Sequence, residues 1–450
     1  MRTSDLSSTI RAAAPASTGD LTALADAART DRNRAVDAYR ALAMLAVALG
    51  HWLVIAIGVD AGGDLEARNA LEVAPQLSWL TWIFQVMPLF FVVGGFASAM
   101  SLDAHWRRNG RDRDWVVSRL RRMVAPTVAL AVTWLVLLGV GAVAGVGGLV
   151  AAGAVGAAIP LWFLANYTID TALAPTVFRA LRKNRIRTVA SLLGAFAAIE
   201  ALHVAGVPWI EHLNWVLGWM LFQVGGFMWR DSLLPTGCRM LAWAGVLWCA
   251  AIGLVAFGPW PVTMIHVSGV PFSPTHPPSL ALVVFGAAFS ATAIAAAPAV
   301  TATLTSNRAA WKVVVAGNAI SMSVYLWHFT AMIAASAVFY AFGWLPSAPI
   351  GSTDWWMQKT PVVALAFVLL IPIVALVSRI EQRALLAPQV RWNGSAASVL
   401  GLAALVSTSL KLWSTGNIGA AATGMALLVL AGLLLRTAVT NHQPPMTDDR

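Results

Sequence analysis

The sequence predicts an all-α protein, a polytopic membrane helical bundle of about twelve transmembrane helices with both termini cytosolic. Three observations carry that reading. Of 450 residues, 58% are apolar and only 11% charged, against roughly 45–50% and about 25% in soluble domains. The apolar residues gather in twelve runs, each near the roughly 20 residues a helix needs to cross a bilayer. When the runs are threaded alternately, 27 of the 30 Lys and Arg fall on one side, the asymmetry that marks cytosolic loops. One missed run would reverse every later loop and erase it.

Taken in order, residues 1–36 are rich in Ala, Ser, Thr, Asp and Arg and read as a disordered cytosolic tail, without the apolar core of a signal peptide. The first run, 41–58, follows Arg40. The second, 79–100, is entered through Trp79 and Trp82, amphipathic rings suited to the headgroup level. Seven Arg between 101 and 123 then mark a cytosolic loop. The third run is 124–143, and the small residues of 139–158 either extend it or form a loop. Runs 158–177 and 188–206 flank five basic residues in 179–187, and runs 213–229 and 240–258 flank Arg230 and Arg239. A Pro-rich outer loop, PWPVTMIHVSGVPFSPTHPPS, leads to 279–299. Arg308 and Lys312 precede 313–340. The tenth run, 361–379, is introduced by Trp355 and Trp356 and followed by three basic residues in 379–391. Runs 396–413 and 417–435 complete the set, before a cytosolic tail at 437–450. Only Arg68, Lys359 and Lys411 fall on the outer side. The expected organisation is a membrane domain at 37–385 and an additional helix pair at 395–436.

Composition excludes several function classes. The net charge of +10 is loop charge that sets orientation, so nucleic acid is not an expected partner; the bilayer is. Two cysteines, Cys238 and Cys249, make neither a disulfide framework nor a four-ligand zinc site. Walker, dinucleotide-binding and nucleophile-elbow motifs are lacking. His266 and His276, with nine residues between them, are too few for a metal site, and none is expected.

Ionisable groups within apolar runs are costly and are therefore the first functional candidates. Here they are His51, Asp170, Glu200, His203 and His328. Arg40 stands eleven residues before His51, which on a helix is three turns plus about 20° and a rise of about 16 Å. Both side chains thus share a face, with Arg40 at the cytosolic headgroups and His51 deep in the core. Arg offers a planar fork for phosphate, and a neutral imidazole can take a hydroxyl proton. The bland alternative is a helix-packing histidine and an arginine that snorkels to lipid. His328, in SMSVYLWHFT, reaches a comparable depth from the cytosolic side, with Tyr325 one turn earlier. Glu200 and His203 are spaced to pair with each other; Glu200 orienting His51 is the other option. Arg119 and Arg122 share a face just before the third run, placed to clamp a phosphate-bearing donor, although topology and anionic lipid explain most of that basic segment.

These residues resemble the acyltransferase 3 family of integral membrane acyltransferases. Arg40 and His51 in YRALAMLAVALGHWL look like its Arg-x10-His signature, and PLFFVVGGF at 88–96 is similar to its FFVxSGF. Arg119 and Arg122 fit an Arg-x-x-Arg of some members. PLWFL at 160–164 and GNAISMSVYLWHFT at 317–330 look like its WFL and SYxLYLxH segments. Gly94 departs from the pattern, standing where Ser is usual, and the last two runs fall outside the likeness. No fused hydrolase-like domain is expected, so the chemistry is expected within the membrane domain.

The resemblance implies O-acyl transfer, acetyl in the expected case, from an acyl-CoA type donor substrate to a hydroxyl of a sugar, glycan or glycosylated small molecule, at the cell membrane and with no tightly bound cofactor. Arg119, Arg122 and Arg40 would hold donor phosphates. His51 would be the general base or carry the acyl group transiently, supported by His328 and Glu200. The rival classes are a secondary transporter or acyl-group exporter, which shares the even number of spans, and a non-catalytic membrane subunit.

Overall fold

The structure is a computed structural model that describes residues 33–59, 65–272, 274–385, 390–437 and 439–441; most of both expected tails lies outside the described residues. Helix α1 (Arg34–Val54) begins inside the stretch read as tail, because the Asn33 side chain accepts from the Val36 amide at 3.1 Å and caps it. It stops four residues short of the expected 58. Ile55–Val59 (β1) turns extended there and pairs antiparallel with Leu65–Asn69 (β2).

Short helical turns between Ala70 and Phe84 lead into α2 (Met87–Trp106). Then follow α3 (Asp112–Val143), α4 (Gly147–Gly156), α5 (Leu161–Lys183), α6 (Arg185–Val204), α7 (Asn214–Arg230) and α8 (Gly237–Phe257). After the outer loop come α9 (Leu280–Ser306), α10 (Arg308–Ala341), α11 (Thr353–Leu385), α12 (Ala396–Trp413) and α13 (Ile418–Thr437), with a two-stranded pair, Val390–Trp392 (β3) and Val439–Asn441 (β4). Of the ambiguous stretch at 139–158, residues 139–143 complete α3 and 147–156 form a separate short helix. Helix α3 ends at Val143, Gly145 takes a left-handed φ of 75°, and α4 then meets α5 at a 43° bend.

Each of the twelve apolar runs overlaps a helix, the first giving way to strand at Ile55 and the second beginning in short helical turns before α2. Among the described residues, nine helices are long and apolar enough to cross a membrane, or ten if α4 and α5 form one broken span. Helices α1 and α7 fall outside that set. The first carries Arg34, Asp37 and Arg40 in its opening turns, and the second has 17 residues.

Helices α2 and α7 cross most closely. A Cβ at Gly95 would come within 2.1 Å of the Gln223 carbonyl oxygen, and one at Gly226 within 1.9 Å of the Val92 carbonyl oxygen, so backbone meets backbone there. Helices α6 and α8 are peripheral, with only 11% and 17% of their apolar windows buried, as lipid-facing helices would be. Helix α12 packs on α5 and α13 on α3, burying Leu402, Val406, Leu410, Trp413, Met425 and Leu428. The last two helices are therefore part of the bundle. At the arginine-rich end, Arg182 bridges Asp103 (2.6 Å) and Asp231 (2.9 Å), Arg230 pairs with both carboxylates, and Arg179 pairs with Asp112. This network joins the ends of α2, α3, α5 and α7. Burial works to raise the Asp231 carboxyl, but the Arg182 and Arg230 hydrogen bonds outweigh it and hold it below its ordinary range.

Candidate active site

Helices α1 and α10 run side by side and are joined at two levels three turns apart. At the arginine-rich level, Arg40 Nε donates to Asn318 Oδ1 at 2.6 Å, and Asn318 Nδ2 donates to the Asp37 carbonyl at 2.8 Å. At the other level, Trp52 Nε1 donates to the His328 carbonyl at 2.9 Å, and His51 Nδ1 lies 3.0 Å from His328 Nε2. The matched steps, 40 to 51 and 318 to 328, are what bring Arg40 and His51 onto one face against a single partner helix.

The imidazole pair has a definite direction. His328 Nδ1 lies 2.7 Å from the Tyr325 carbonyl oxygen and 3.2 Å from that of Val324. A carbonyl only accepts, so this nitrogen carries the proton. In a neutral ring the His328 Nε2 is then an acceptor, so His51 donates through Nδ1 and its Nε2 keeps a lone pair. Tyr325, whose hydroxyl donates to the Pro160 carbonyl, anchors this stretch of α10 to the start of α5. His328 is fully buried.

His51 also borders a cavity of about 570 Å³. The walls come from the far ends of α1, α5, α7 and α12, the helical turns at 77–85 and the outer loop around Ile265 and His276. The cavity therefore lies at the opposite end of the bundle from Arg40. Trp162 and Trp215 stand in its wall with ring centroids 6.0 Å apart, and His276 lies 5.4 Å and 5.0 Å from them. Enclosure holds the His276 imidazole below its ordinary pKa, and the nearby His266 and Lys411 act in the same direction. It is neutral near pH 7.

The basic residues meet from different elements. Arg119 on α3 donates to Ser101 Oγ, and its guanidinium lies 5.2 Å over the Trp115 ring. Its charge interacts with those of Arg40 and Arg122, and with Tyr167 on α5. Arg40 has Asp37 at 3.7 Å. Arg122 is the more exposed of the i, i+3 pair. Arg119 thus lies within electrostatic reach of two further guanidinium groups, an arrangement suited to a phosphate-bearing ligand.

Glu200 is not brought to His51. Its carboxylate accepts from the Leu280 amide at 2.9 Å and from Asn214 Nδ2 at 3.4 Å, capping the start of α9. Nor does it pair with His203, whose partner is Glu211 at 3.4 Å. Asp170 is fully buried, with neither carboxylate oxygen hydrogen-bonded.

Sequence reasoning passed over three groups. Asn318 lies within the quoted GNAISMSVYLWHFT, but an amide gives no charge signal. Lys359, counted only as an outer cation, is buried in α11. It donates to the Leu53 and Ile55 carbonyls at 2.7 Å and 2.6 Å, closing the end of α1 just beyond His51. Trp355, expected at the headgroup level, is covered by the protein itself, with the Lys359 ammonium 4.2 Å over its ring. The departure at Gly94 also has a local reason, since a Cβ there would meet the Tyr167 ring and hydroxyl at 3.0 Å.

No curated protein and no solved structure matches the chain significantly. The sequence model of the acyltransferase 3 family, described as an acyltransferase domain, matches residues 33–379, a stretch that holds α1 to α10 and most of α11. With that match over more than half its length, this multi-pass membrane chain belongs to the acyltransferase 3 family.

Proposed function

We propose that the protein moves an acyl group, acetyl in the expected case, from an acyl-CoA type donor to a hydroxyl of a sugar, glycan or glycoside. The observation that carries this reading is the oriented imidazole pair at the border of the cavity. The His51 Nε2 lone pair is the base that pair leaves available. The acceptor hydroxyl oxygen attacks the thioester carbon, and His51 takes the hydroxyl proton. The carbon–sulfur bond then breaks, and the imidazolium returns the proton to the leaving thiolate. His328 fixes the tautomer throughout, as a positioning residue.

Arg119, Arg122 and Arg40 hold the donor phosphates at the opposite end, taken as cytosolic from the positive-inside asymmetry. The roughly 16 Å between Arg40 and His51 along α1 is then spanned by the donor's extended arm. The acceptor enters from the cavity side, whose paired indoles suit the C–H faces of a sugar ring. No role in transfer is assigned to Glu200.

The test is transfer of labelled acetyl from acetyl-CoA in membranes carrying the full-length chain, with mass spectrometry of surface glycans. His51→Ala should abolish product while leaving expression and detergent-extracted folding unchanged. Substantial retained activity removes the mechanism. Arg119→Glu with Arg122→Glu should raise the apparent donor KM at least tenfold, and an unchanged value counts against the phosphate clamp.

A further inference from the structure

The cavity beside His51 is not built from the family-matched residues alone. The match ends at residue 379, yet Lys411, Ser414 and Thr415 of α12 and the turn after it stand in the cavity wall. Helix α12 is held in place for this. Trp413 is fully buried and donates to the Ala154 carbonyl at 3.0 Å, tying the end of α12 to α4.

Lys411 is unusual among the lining side chains. Of the Lys, Arg, Asp and Glu residues among those described, it alone borders the cavity. Its ammonium lies 4.9 Å over the Trp215 ring, and among the described residues no ion pair to a carboxylate is made. Lys359, by contrast, has two carbonyls for its ammonium. Glu72 and Glu211 act from outside the lining, Glu72 on His266 and Glu211 on His212 at 3.4 Å. The neighbouring His276 is neutral, and Lys411 is the one Lys or Arg among the described lining residues, set beside an indole face.

We propose that the acceptor is anionic and that Lys411 binds its carboxylate or phosphate group while the reacting hydroxyl reaches His51. The appended α12–α13 pair is thereby the element that selects the acceptor. This rests on the reading of His51 as the base. A charge-assisted contact of this kind, made in a partly enclosed chamber, favours an anionic ligand over its neutral counterpart. Lys411 touches the acceptor and not the reacting atoms, so its effect belongs in acceptor binding.

The experiment measures equilibrium binding to the full-length protein in detergent or nanodiscs. Three probes are compared: methyl β-glucuronide, glucose 1-phosphate and neutral methyl β-glucoside. At least one anionic probe should bind tenfold or more tightly than the neutral glucoside, and which one does so distinguishes carboxylate from phosphate. Lys411→Met should remove that preference and Lys411→Arg should restore it. Rising salt should erode it in the wild type, a check that requires no variant to fold. Equal binding of all three probes, no binding of either anion, or a preference that survives Lys411→Met would each overturn the proposal. His51→Ala should keep the binding preference. A preference without acyl transfer to any acceptor would sink the catalytic reading alone, and transfer without a preference would sink the role of Lys411 alone.

Discussion

The chemistry of His51 is decided by a carbonyl it never touches. Because the Tyr325 carbonyl accepts from His328, the second imidazole must accept from the first, and the free lone pair of His51 follows. His328→Ala removes that acceptor and lets His51 adopt the other tautomer. A kcat loss of about 10²-fold or more is expected, with the donor KM little changed. Steady-state kinetics at varied donor concentration checks the split. Gly94 shows a residue chosen by its neighbour. Restoring the serine would push a Cβ to 3.0 Å from Tyr167, a side chain already packed against Phe90, Phe91 and Phe163. Gly94→Ser should cost about 1–3 kcal/mol through overpacking, read as a lower unfolding temperature. Tyr167→Phe in the same background should recover part of it.

At the scale of elements, α1 matters as a rod with both ends held. Asn318 fixes its arginine-rich level, and Lys359 holds its far end. A helix end leaves carbonyls without intrahelical partners, and here a buried ammonium satisfies Leu53 while also holding Ile55 in the following strand. Lys359→Met retains much of the side-chain volume and removes the donor. It should destabilise the protein by about 1–3 kcal/mol, the cost of leaving a buried acceptor unpaired, and lower kcat as the last turn carrying His51 loosens. Thermal unfolding and kcat measured on one preparation check both effects.

For the whole molecule, the arginine cluster and the cavity lie at opposite ends of the bundle, so donor and acceptor are expected to approach from opposite faces. In sealed proteoliposomes of one orientation, acetyl-CoA supplied at the arginine-rich face and acceptor supplied at the cavity face should yield product. Acceptor confined to the arginine-rich face should yield at least tenfold less. Equal yields from either placement would show that the two substrates share an entrance.

The helical membrane class, its apolar runs and its charge asymmetry were legible in the chain because each rests on local composition and on the cost of placing polar groups in hydrocarbon. The Arg40–His51 relation was legible for a similar reason, since helix periodicity places both on one face. Which groups meet across helices was not, because no spacing rule links residues 51 and 328 or 359 and 53. The end of α1 at Val54 was hidden as well: Ile55–Val59 is as apolar as helix, and only its pairing with β2 makes it strand. Glu200 carried the same charge signal as a catalytic carboxylate, and its distance from His51 was settled by the packing of α6 against α5 and α7 and by its bond to the first amide of α9. The cavity and the place of Lys411 in its wall arise from six or more segments converging at one end. Tertiary packing alone decides such convergence, because side chains far apart in sequence become neighbours only when helix faces are buried against one another.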